Sequence, residues 1–68
     1  MDEKIFRDRL TEGLHTLLPA QAEVLVLRYG LSGSSPYSLE EIAAAVRKTV
    51  EEVEELEESA LLELGLVK

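Results

Sequence analysis

The side chains that most often do chemistry are few in this chain and poorly placed for it. Histidine occurs once, at His15, and cysteine is absent. Neither a thiolate site nor a multi-histidine metal site can therefore be assembled, and a solvent-facing or capping role suits His15 better. Ser32, Ser34 and Ser35 surround Gly33 in a flexible loop that does not match a phosphate cradle. There is no nucleophile–base pair and no cofactor motif. These residues imply neither an enzyme nor a metal- or cofactor-binding protein.

Carboxylate dominates instead. Fourteen Asp/Glu against seven Lys/Arg give a net charge of −7 over 68 residues. Residues 49–67 hold seven glutamates and no basic residue. Paired glutamates on a helix usually form a solvated face rather than an acid–base couple. Two readings of the run follow. One is an ordinary solvated face. The other is an acidic surface of Glu51, Glu52, Glu54, Glu55 and Glu58 that meets a basic protein patch or occupies a site otherwise filled by DNA. The helix dipole favours Glu51 and Glu52 at its positive end, but Glu57 and Glu58 lie too far along to gain from it. On either reading the stretch repels nucleic acid and anionic membranes.

The elements that carry these residues follow from periodicity. A chain of 68 residues suits one domain, residues 1–68, with a modest core. No apolar run approaches the roughly 18–20 residues of a membrane span. The charged start, Met1-Asp2-Glu3-Lys4, is unlike a targeting peptide. A soluble, cytoplasmic protein is expected, and the lack of cysteine agrees with a reducing compartment.

Ile5, Phe6, Leu10, Leu14, Leu17 and Leu18 keep one face apolar and predict a helix over about 3–18. Gly13 within it marks close helix packing or a local bend. Pro19 has the fixed φ of a first helical residue and opens a second helix over 19–29. Gly30 suits its left-handed end, with Leu31 as the apolar residue just beyond. Residues 32–36 form a loop. Ser38 to Glu41 and Thr49 to Glu52 are capping boxes that start a third helix, 39–46, and a fourth, about 50–64, which Gly65 stops. Only Arg47 and Lys48 remain for the turn between them, so the pair reads as a helix-turn-helix. That turn needs a positive φ at Arg47 or Lys48, at a cost of about 1 kcal/mol or somewhat more without glycine, and the fourth helix could tilt as a result. The whole is an all-α, four-helix domain.

Leu17 to Leu31, reading Leu-Leu-Pro-Ala-Gln-Ala-Glu-Val-Leu-Val-Leu-Arg-Tyr-Gly-Leu, and Tyr37 to Ile42, Tyr-Ser-Leu-Glu-Glu-Ile, resemble two separated motifs of region 4 of the primary bacterial sigma factors. The resemblance spans Leu17 to Leu64 without a gap. It implies a domain that docks on the RNA polymerase β-subunit flap through an apolar cleft and lays its last helix in the promoter −35 element. For the first task the resemblance offers Leu14, Leu17, Val24, Leu25, Leu27 and Ile42 as a candidate cleft, although most apolar residues of a small domain are simply core.

For the second task the chain departs from the pattern. The family's recognition helix opens Ser/Thr-Arg-Glu-Arg-Val/Ile-Arg-Gln-Ile-Glu. Its arginine positions hold Val50, Glu52 and Glu54 here, and its glutamine position holds Glu55. Nonspecific DNA affinity, with Kd about 10⁻⁴ to 10⁻⁶ M, comes almost wholly from cation–phosphate contacts. Carboxylates remove that attraction and add repulsion of about 1 kcal/mol per close pair even in water. The expected function is a transcription-associated, sigma-like adaptor or regulator whose partner is a protein, RNA polymerase at the β-flap, and which does not read −35 DNA in the family's mode. The alternatives are a sigma-like domain that binds DNA through another surface, and a homo-oligomerising module paired through apolar ends that include Leu66 and Val67.

Overall fold

A computed structural model describes residues 3–66; Met1, Asp2, Val67 and Lys68 lie outside it. Among the described residues the chain is all-helical, with α1 Glu3–Gly13, α2 Pro19–Tyr29, α3 Leu39–Val46 and α4 Val50–Glu63. Helix α4 packs across both α2 and α3. Two apolar clusters hold the assembly. Leu10, Leu25, Ala60 and Leu61 join α1, α2 and α4, while Val24, Ile42, Ala43 and Val53 join α2, α3 and α4. Neighbouring residues of α2, Val24 and Leu25, thus feed different clusters, so α2 is the central element.

The first helix is shorter than its periodicity suggests. It ends at Gly13, and Leu14–Thr16 tighten into a 3₁₀ turn. Leu17 and Leu18 are extended, with ψ of 159° and 150°. The physical reason lies at both ends of this segment. Pro19 disfavours helical backbone in the residue before it, and its own fixed φ starts α2. At Gly13 an added Cβ would stand 2.3 Å from a Leu64 methyl, so the glycine serves close packing.

Side-chain caps fix where α3 and α4 begin. The Ser38 hydroxyl accepts the Glu41 N–H at 3.1 Å, and Glu41 accepts the Ser38 N–H at 2.9 Å. Thr49 and Glu52 repeat the arrangement at 3.1 and 2.9 Å. Each box satisfies two amides that a helix start leaves open.

Three helices end alike. Gly30, Arg47 and Gly65 are all left-handed, with φ of 62°, 58° and 71°. The next residue in each case, Leu31, Lys48 or Leu66, donates its N–H back to Val26, Ala43 or Leu61 at 2.9–3.0 Å. This is the Schellman pattern, normally built on glycine. Arg47 supplies the positive φ in the helix-turn-helix turn, which lets α4 begin with only three residues between it and α3.

Candidate functional site

The acidic helix has two sides with different chemistry. Glu51, Glu52, Glu54, Glu55 and Glu58 are all exposed. Val53, Ala60 and Leu61 face inward. Glu52 has a dual position: it is open to solvent, yet its carboxylate accepts the Thr49 N–H. That backbone hydrogen bond, reinforced by the Thr49 side chain and nearby Lys48, holds its pKa below the usual carboxylate value.

Glu57 departs from its neighbours. Its side chain is only 18 % exposed, and its Oε2 lies 3.4 Å from Arg28 Nε. The Tyr29 hydroxyl donates to the same oxygen at 3.2 Å. Arg28 Nε is buried without an aligned acceptor, so the contact is an ion pair rather than a directed hydrogen bond. Arg28 also donates from NH1 to the Tyr37 carbonyl at 3.2 Å. Burial, then the Glu57 charge, push the Tyr29 hydroxyl above its ordinary pKa. Tyr29 in turn meets Phe6 edge-on, with ring centroids 5.5 Å apart, and its carbonyl accepts from Arg7 NH1. The basic residue left on α2 is therefore occupied by structure.

A second polar contact ties α2 to α4. Gln21 is 7 % exposed, and its Nε2 donates to Ser59 Oγ at 2.9 Å. Its Oε1 accepts the Leu18 N–H at 3.0 Å, which supplies half a capping box at a position where leucine has no acceptor. Ser59 lines an open groove of about 320 Å³ along α4, together with Lys48, Glu52, Glu55 and Leu56.

The apolar residues expected to form a cleft are not equally exposed. Val24, Leu25 and Ile42 are completely buried and have nothing to offer a partner in this conformation. Leu14 and Leu17 border one core cluster and Leu27 the other; all three are half-buried. A 3.6-residue period identifies an inward face but not which part of it the fourth helix covers. Gln21 and Glu57 were not singled out by sequence. For Glu57 a signal existed, because the terminal glutamate of the family's recognition-helix motif falls at that position.

A short α3, a tight left-handed turn and a capped α4 laid across α2 define a helix-turn-helix. The profile of the sigma-70 region 4 family matches residues 13–64. The chain is also 40% identical over 55 residues, 81% of its length, to the RNA polymerase principal sigma factor HrdC of Streptomyces coelicolor. This chain belongs to the sigma-70 region 4 family, which gives it a sigma-factor-like place in transcription. It spans 16% of that relative's length. No solved structure matches it. Among the described residues no helix is long and apolar enough to cross a membrane.

Proposed function

We propose that this chain is a sigma-like adaptor that acts at RNA polymerase through protein contacts, at the β-flap, and does not bind −35 promoter DNA in the manner of its family. The observation that carries the reading is the outer face of α4, where every glutamate from Glu51 to Glu58 except Glu57 is exposed. A duplex approaching that face meets carboxylates where phosphate anchors need cations. Arg28 cannot compensate, because its guanidinium already serves Glu57 and Tyr37. Lys48 and Arg47 are exposed at the turn, but two cations beside five exposed carboxylates do not make an anchor.

Support for polymerase docking comes from family membership and from the half-buried Leu14 and Leu17 beside the first cluster. The test is calorimetric titration of this protein with an isolated β-flap domain, with a −35 duplex in parallel. Flap binding without duplex binding, weakened by Leu17→Ser, is the expected result. Salt-sensitive duplex binding with no flap binding would return the chain to the DNA-binding class.

A further inference from the structure

Leu18 and Leu62 are 67% and 54% exposed, and neither belongs to a core cluster. Single exposed leucines are ordinary on a soluble surface. These two converge. The Leu18 N–H is 3.0 Å from Gln21 Oε1, and Gln21 Nε2 is 2.9 Å from Ser59 Oγ, so Leu18 sits at the Ser59 end of the α4 groove. Leu62 follows Ser59 by one helical turn and lies at the same end. The groove then runs back past Leu56 to Glu55, Glu52 and, at its far rim, Lys48. Glu52 and Glu55 make it anionic, Leu56 is its apolar lining beside Ser59, and Leu18 and Leu62 stand beyond that end.

We infer that this groove docks a basic amphipathic helix of a partner protein. An apolar side chain of the partner seats against Leu18 and Leu62, and arginine or lysine side chains one to two turns along reach Glu55 and Glu52. Charge selects this occupant. A nucleic acid presents phosphate to exposed Glu51, Glu54 and Glu58 on the flanking ridge, and a second copy of the chain brings another net charge of −7. An amphipathic helix offers the two chemistries at the required separation, and arginine forks pair well with carboxylates. Lys48 repels a cation placed beyond Glu52, which fixes the register of the occupant. The surface shares no residue with Leu14, Leu17 or Leu27, so it stands or falls independently of flap docking.

The test uses the whole chain and a synthetic helical peptide of leucine, lysine and arginine, followed by amide chemical-shift mapping. Two control peptides carry serine for leucine, or glutamate for lysine and arginine. The expected shifts fall at residues 18–21 and 52–62, and both controls bind at least about tenfold more weakly. Leu18→Ser with Leu62→Ser, and separately Glu52→Gln with Glu55→Gln, each weaken the leucine–arginine peptide by about tenfold or more. The second pair also flattens its salt dependence. These sites are on the surface, and glutamine still closes the Thr49 capping box, so folding is retained. Equal binding of the serine peptide, shifts confined to other helices, duplex binding at the same residues, or a homodimer in sedimentation that buries the face would each overturn the inference.

Discussion

Glu57 and Arg28 form an ion pair across the α2–α4 contact, with 3.4 Å between Oε2 and Nε. The carboxylate that looks like one more member of an acidic run is thereby one of two polar fastenings of α4 to α2. Glu57 is 18 % exposed and Arg28 38 %, so solvent screens the pair in part but less than a fully exposed surface pair. It also anchors the Tyr29 hydroxyl.

Replacing Glu57 by alanine should therefore cost about 1–3 kcal/mol, since it strands a buried guanidinium nitrogen and a tyrosine hydroxyl. Glu57→Gln keeps an acceptor for Tyr29 and should cost about half as much. Glu58→Gln, one residue on and exposed, should stay within about 0.5 kcal/mol. Urea unfolding of the three variants measures the differences. Equal midpoints for the changes at 57 and 58 would show the pair to be energetically idle.

The same contact gives a pH dependence at the alkaline end. Burial and Glu57 raise the Tyr29 pKa above its ordinary value of 10.0. As pH rises, the unfolded chain loses this proton before the folded one does, so stability is intact below about pH 10 and falls as the folded value is passed. Phenolate absorbance of a Tyr37→Phe variant isolates Tyr29, and thermal unfolding over the same range reports stability. Glu57→Gln removes the carboxylate charge and should bring the Tyr29 titration closer to the ordinary value.

Local signals made most of the helix starts legible, because the physics there is local. Ser38, Thr49 and Pro19 act within one turn of themselves, and their spacing names the start of α3, α4 and α2. The end of the first helix was less legible. Gly13 and Pro19 mark its two limits, but the residue that packs against Gly13, Leu64, is distant in sequence. The inward role of Glu57 was hidden for the same reason. Its neighbours are glutamates, its own type favours solvent, and only the crossing of α4 over the end of α2 brings Arg28 and Tyr29 to it. The extent of the cleft was hard to read for another reason. Periodicity cannot separate Val24 and Leu25, fully buried, from Leu27, half-buried, because all three lie on or near the inward face of one helix.

Arg47 gives a direct measure of turn strain. Its φ of 58° is left-handed, a conformation that costs a non-glycine residue roughly 1–2 kcal/mol. The side chain is exposed, and nothing in the turn requires its charge to hold the Lys48 to Ala43 hydrogen bond. Arg47→Gly should stabilise the protein by about 0.5–1 kcal/mol after the added freedom of the unfolded glycine is subtracted. Arg47→Ala keeps the strain and should gain nothing. A rise in the thermal midpoint for the glycine variant alone is the expected pattern, and destabilisation by glycine would mean that the guanidinium contributes more than its backbone costs.

The refusal of DNA should reside in charge and not in the shape of the helix-turn-helix, and that can be tested by recharging α4. Glu54→Arg, Glu55→Arg and Glu58→Arg change three exposed positions while leaving the Thr49–Glu52 cap and the Glu57–Arg28 pair intact. Net charge moves by six units, from −7 to about −1, and the outer face of α4 changes sign. The triple variant should bind duplex at low salt with a Kd near the nonspecific range of about 10⁻⁴ to 10⁻⁶ M, whereas the parent should not. Its log affinity should fall with log salt concentration at a slope of about −0.9 for each phosphate neutralised, so a slope near −2 to −3 would count the new contacts. Fluorescence anisotropy over a salt series measures both quantities. If the recharged and still folded variant ignores duplex, the obstacle lies in the angle at which the Arg47 turn sets α4, and the charge of its outer face is incidental.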